Sequence, residues 1–288
     1  MNTIKSQGET RMASLYDRIG IDIGRRLKLE DGIEWAARNQ VHHIDIQLDT
    51  GVNAFTNFDD ARAGKIKEAC ERHGIDLGLH TLSAVNVAEY SPILSEAVDA
   101  YLKGYIDVYP KLGAKWIVVH AGYHFTADVP MRMEAGLDRL KRMVEYAETK
   151  DAVLLLENLN KEPETAEVHY LACTIDEWRY CYEKIDSPSF ALSFTANHAH
   201  LLPDGIEGFV DAIPMERVAE VRLADCHRNG YEVHLVPGQG DLDFGDMFKR
   251  IEGKGFKGHY MAAYGSLDDM QASRRYLVDK AKAAGVAV

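Results

Sequence analysis

The sequence predicts an α/β fold, a single (β/α)8 barrel of the TIM type, on three observations. Eight short apolar runs alternate with eight helix-like segments, with little filler between them. The runs are apolar at consecutive positions, as parallel strands covered on both faces should be. Five of them end in a group that can move a proton or hold an anion: LGLHTLS (His80), WIVVHAG (His120), VLLLENLN (Glu157), ALSFTANHAH (His198, His200) and EVRLADCH (Arg222, Asp225). Eight parallel strands in a barrel point their C-terminal ends at one mouth, where such groups would meet. A doubly wound open sheet is the alternative. It wants a glycine-rich phosphate turn after the first strand, and IDIGRRLKLEDG is a poor match.

The first strand is RIGIDIG (18–24), followed by the helical LEDGIEWAARNQ. The second is HHIDIQL (42–48), followed by a helix that spaces Ala61, Ile66, Ala69 and Cys70 on one face and stops at Gly74. The third is IDLGLHTLS (75–83), before a long helix ending at YPKLG. AKWIVVHAG (114–122) is the fourth, with a helix through MRMEAGLDRLKRMVEYAETKD. AVLLLENLN (152–160) is the fifth, before a longer loop and the helix TIDEWRYCYEKID. FALSFTANHAH (190–200) is the sixth, with a short helix near IEGFVDAIP. RVAEVRLADC (217–226) is the seventh, followed by a loop and FGDMFKRIEGKG. GHYMAAYG (258–265) is the eighth, before the last helix. HGIDLG, LGAKWIVV and KGFKGHY each read as a helix-ending glycine feeding the next strand. Tyr101, Tyr105 and Tyr109 share a helical face and read as packing.

The chain has 288 residues, and barrels of about 250 residues fold as one unit. We expect an N-terminal arm over residues 1–15, either loose or in an oligomer contact, and the barrel over 16–288. A net charge of -12 argues against a nucleic-acid partner, which favours a basic face. There is no apolar run of membrane-spanning length and no signal-peptide pattern at the start. The four cysteines lack CxxC spacing and read as reduced thiols of a cytoplasmic protein.

HAG at 120–122, LLLENL at 154–159, HAH at 198–200, HLVPGQGDLDF at 234–244 and GFKGHY before the eighth strand follow one another in order. In these motifs the chain resembles the xylose isomerase-like barrels, the sugar isomerase/epimerase superfamily. The resemblance covers about half of the chain. It implies a small-molecule substrate and a homodimer or homotetramer. In metal-dependent members it implies four ligands: a Glu, an Asp, a His and a Glu from strands five to eight. These stations map onto Glu157, Thr195, Arg222 and Ala263. Thr is a poor ligand, Ala is none, and Arg brings a positive charge to the cation's place. The expectation is therefore no metal cofactor. The alternative is Mn2+ or Zn2+ on a cluster of His80, His120, Glu157 and His198.

The expected catalytic residues are Glu157, His198 and Arg222. Glu157 or His198 would be the acid or base, and Arg222, held by Glu157, the fixed positive charge that replaces the metal. Expected substrate contacts are His80, His120, Tyr123, Asp225 and His234, with His200, Phe125 and Tyr264 weaker candidates. The chemistry implied is proton abstraction next to a carbonyl of a polyhydroxylated or keto-acid substrate: isomerase, epimerase, dehydratase or lyase. An ordinary metal-dependent isomerase/epimerase and a non-catalytic metabolite-binding barrel are the alternatives. The superfamily's nucleases are more remote, given the acidic charge. GlyGlnGlyAspLeuAsp (238–243) reads as a turn shaping its loop rather than a phosphate cradle.

Overall fold

The computed structural model describes residues 13–288. Most of the expected arm, residues 1–12, lies outside the described residues. A single helical turn, Leu15–Arg18, leads into the barrel, and Leu15 is already in the core.

All eight predicted strands form. They are β1 (Ile19–Gly24), β2 (His43–Ile46), β3 (Asp76–His80), β4 (Trp116–Val119), β5 (Leu154–Glu157), β6 (Phe190–Thr195), β7 (Val218–Leu223) and β8 (His259–Ala262). Each pairs in parallel with its sequence neighbour, and β8 closes on β1 through Ile19↔Tyr260 and Ile21↔Ala262. The helices that follow them in turn are α1 (Leu29–Arg38), α2 (Asp60–His73), α3 (Pro92–Leu112), α4 (Val129–Glu148), α5 (Ile175–Tyr182), α6 (Gly205–Ala212), α7 (Phe244–Gly253) and α8 (Leu267–Ala283). Their ends follow local rules. Gly74 and Gly113 close α2 and α3 in the left-handed conformation, and a Ser266–Asp269 capping box opens α8.

The strands alternate between two cores. Ile117, Val119, Leu154 and Leu156 face the helices and join the main apolar cluster. Trp116, Val118, Leu155 and Met261 form a separate, smaller cluster inside the barrel. Burying each large apolar side chain contributes roughly 1.5–3 kcal/mol. The remaining interior is polar: Asp45, Ser193, Glu220 and Arg222 are all buried. Gly78 makes room for it, because a Cβ there would lie 2.1 Å from both Asp45 and Trp116.

Two local features differ from expectation. The run 190–200 is strand only to Thr195, and Ala196–His200 is a helical turn. The strand stops where the Asn158 side-chain amide takes both backbone groups of Thr195, accepting from its N–H and donating to its C=O. A two-residue ladder also pairs Tyr123–His124 with His169–Tyr170, joining the loops after β4 and β5. So short a ladder carries no periodic signal in sequence.

Candidate active site

A cavity of about 610 Å³ opens at the C-terminal mouth, in the size range of small-molecule sites. Glu157 ends β5 at its floor and is buried. Its Oε1 accepts a 2.5 Å hydrogen bond from Thr195 Oγ1. Its Oε2 lies 3.2 Å from His120 Nε2 and 3.4 Å from His80 Nε2, and the two imidazole nitrogens are 3.3 Å apart. Burial alone would raise the Glu157 pKa. The hydrogen bonds from His120 and His80 and the charges of His80 and Arg222 instead hold it well below the ordinary carboxylate value. His80 and His120 diverge. Burial and Arg222 oppose protonation of His80, but Glu157 and Asp22 win and its pKa rises. Burial dominates at His120, and its pKa falls. The two imidazoles on one carboxylate are thus pushed in opposite directions, His80 towards its protonated form and His120 towards its neutral one.

Arg222 is buried beneath them. Its Nη2 donates to Asp22 Oδ2 and its Nη1 to Asp45 Oδ2, both at 2.5 Å, with Glu220 Oε1 3.2 Å from Nη1. Glu157 Oε1 is 3.9 Å from Nε, too far for a hydrogen bond. Glu157 thus pairs with Arg222 as expected, but loosely; the hydrogen-bonded partners that fix the guanidinium come from strands β1 and β2. Burial and the nearby Glu220 raise the Asp45 pKa to about 7 against the pull of Arg222.

His198 comes from the helical turn after β6. Its Nδ1 is 2.8 Å from the Asn158 carbonyl, which fixes that nitrogen as a donor and leaves Nε2 facing the cavity. Nε2 is 3.7 Å from Glu232 Oε1, and His234 Nε2 is 2.6 Å from the same oxygen. His234 Nδ1 meets the Ala263 carbonyl at 2.5 Å. Burial works against protonation of His234, but the hydrogen bond to Glu232 and its charge raise the His234 pKa.

The structure thus brings Glu157, His198, Arg222, His80, His120 and His234 to one cavity. It puts two expected contacts elsewhere. Asp225 accepts hydrogen bonds from the backbone N–H groups of Cys226, Gly238, Gly240 and Leu242, so its carboxylate organises the 238–243 turn and is used up there. Tyr123 sits in the short ladder, edge-on to Phe125 and Tyr170, and Tyr170 rather than Tyr123 lines the cavity. His200 pairs with Asp241, and Tyr264 is core, bonded to Ser273. Sequence reasoning missed Asp22, Asp45 and Glu232. A signal existed for the first two, since each is a lone carboxylate inside an apolar strand (IDIG, HIDI). Glu232 lies in a loop and had none.

The chain belongs to the family described as the xylose isomerase-like TIM barrel, which matches residues 32–282. Among solved structures it is similar to a D-tagatose 3-epimerase-like protein, at 19% identity and a TM-score of 0.80, over 93% of this chain and 98% of that one. It is also similar to D-psicose 3-epimerase from Clostridium cellulolyticum H10 with D-tagatose (16%, 0.76, 93% and 99%). An L-ribulose 3-epimerase follows (14%, 0.73, 93% and 95%). At these identities the likeness is one of fold. No curated protein matches the sequence significantly.

The four-ligand set implied by the resemblance does not fit these residues. Thr195 is spent on Glu157, Arg222 fills its station with a guanidinium, and Ala263 offers only a carbonyl already engaged by His234. A neighbouring set does fit a metal. His80, His120 and Glu157 turn Nε2, Nε2 and Oε2 together in a triangle with sides of 3.2–3.4 Å. Ligands about 2.0–2.1 Å from a tetrahedral Zn2+ lie roughly this far apart. His198, Glu232 and His234 form a second, more open cluster.

Proposed function

We propose that this barrel is a sugar isomerase/epimerase-like enzyme that removes a proton next to the carbonyl of a small polyhydroxylated or keto-acid substrate. The observation that carries the reading is Glu157, a carboxylate buried at the cavity floor with the Nε2 atoms of His120 and His80 3.2 and 3.4 Å from its Oε2. The proton leaves carbon for Glu157 or for His198 Nε2, and the carbonyl oxygen, gaining charge, takes a proton from His80. The resulting enediol is reprotonated on the neighbouring carbon, on the opposite face, or loses a β-hydroxyl. Those outcomes are isomerase, epimerase and dehydratase. Asp22 Oδ1 and His80 Nδ1 are buried without a hydrogen-bond partner in the protein, which favours a polar ligand at this end. Arg222 acts as a fixed pole that keeps Glu157 ionised without a cation at the implied metal station.

The triangle of His80, His120 and Glu157 favours a second reading, in which these three hold a divalent ion. Such an ion would polarise the substrate carbonyl. Solvent-deuterium incorporation into a panel of ketoses and keto-acids tests both. On the metal-free reading, exchange survives EDTA and falls about 10²–10⁴-fold in Glu157→Gln. Exchange that is lost in EDTA and restored by Zn2+ or Mn2+ overturns it in favour of the second. Saturable binding with no exchange on any substrate would leave a metabolite-binding barrel. No described helix is long and apolar enough to cross a membrane. Four free thiols, three of them buried, favour a reducing setting such as the cytoplasm.

A further inference from the structure

We propose that the substrate carries an anionic group, a phosphate or a carboxylate, which docks on Arg25 and Arg26 across the mouth from Glu157. The inference rests on the proposed function and narrows its substrate class.

The turn after β1 supplies the two arginines. Gly24 ends that strand at φ +57, a left-handed conformation that favours glycine, and Arg25 and Arg26 follow at the cavity wall. Arg26 is fixed there. Its Nη1 donates to the carbonyls of Asp22 and Ile23, and its Nη2 to that of Gly265 across the β1–β8 seam. Carbonyls orient a guanidinium but do not neutralise it, so its charge stays available. Arg25 is exposed and makes neither an ion pair nor a side-chain hydrogen bond among the described residues. Gln47, from the end of β2, adds an amide to the same wall.

The ring order makes this placement informative. In a closed ring of eight strands, β1 lies diametrically opposite β5. The β5 side of the cavity carries Glu157 and Glu162; the β1 side carries Arg25 and Arg26 together with Asp22, whose Oδ2 is already bound by Arg222. The mouth is therefore polarised across its width within a chain of net charge -12. A molecule with its reacting carbon at Glu157 and its far end at β1 meets Glu157 first and the guanidiniums of Arg26, fixed by carbonyls, and of Arg25 last. A neutral sugar would leave those two charges unused. An anionic terminus gains charge-assisted hydrogen bonds in the fork geometry that suits both carboxylate and phosphate.

Calorimetric titration of the full chain with ketohexoses, their 6-phosphates and their C6 acids tests this. At least one acidic series should bind about 10-fold or more tightly than the neutral sugars, as expected for a charge-assisted contact. The preference should shrink with added salt. Arg25→Glu should abolish it and Arg25→Lys retain much of it; both changes are on an exposed side chain. Preference for the phosphates alone or for the acids alone identifies the group. Neutral sugars that bind as tightly as both acidic series, or a preference that survives Arg25→Glu, overturn the subsite while leaving the proposed reaction standing. No saturable binding by any of the three series removes the reaction and the subsite together.

Discussion

Glu157 keeps its charge in a dry place because every neighbour is arranged to want it charged. Thr195 and His120 donate to it, His80 shares its field, and Arg222 sits behind. Among the described residues Arg222 in turn is the sole guanidinium paired with the buried carboxylates Asp45 and Glu220 and the partly buried Asp22. Replacing it with a side chain of similar length should be costly, because the carboxylates stay behind uncompensated. Arg222→Met should lower unfolding free energy by about 3–5 kcal/mol in urea titration. Adding Asp45→Asn should recover part of the loss. A single variant as stable as the wild type would discard this account of the charge cluster. At this scale the sequence was half legible. Residues at strand ends advertised themselves, since a polar group after an apolar run is visible. Their pairing was not, because Arg222 reaches strands 177 and 200 residues away and no local pattern encodes that reach.

The strands and helices were the most legible level, since period and glycine stops are local. Loops were the least, and the segment between β7 and α7 shows why. Asp225 reads as a site residue from its place after a strand, yet its carboxylate collects four backbone amides and its backbone pairs with Leu235 in both directions. The segment so folded delivers Glu232 and His234 to the cavity. Asp225→Ala should therefore act at a distance. Hydrogen exchange at Gly238, Gly240 and Leu242 should speed up by about 10-fold or more, as each amide loses its acceptor. KM should rise more than kcat falls, with the barrel strands still protected. Unchanged exchange at those amides would show that the carboxylate is not what holds the turn.

At the level of the whole barrel, the end opposite the mouth sets an acid limit. His43 packs flat against His259, with ring centroids 4.9 Å apart, and its side chain is largely enclosed. Burial first, and the neighbouring His259 second, push its pKa down from 6.5 to about 3. The unfolded chain therefore takes up a proton near pH 6.5 that the folded protein refuses until about pH 3. The stability tied to His43 is present above 6.5 and is lost as pH falls through that window. Chemical denaturation between pH 7 and 4 should show this slope, and His43→Phe, which keeps the stacking, should flatten it. An equal slope in the variant would assign the acid sensitivity elsewhere.

The contact of Arg222 with Asp22 and Asp45 joins the seventh strand to the first two. Those partners become neighbours only when the ring shuts, after almost all the chain has been made. Until then the arginine lacks these two counter-ions and has Glu220 of its own strand beside it. The charge arrangement at the mouth thus depends on the closed ring, because it needs residues of the first, second and seventh strands together. A half-made or opened barrel would present its histidines to solvent without the charge arrangement that gives them purpose, so competence and closure arrive together.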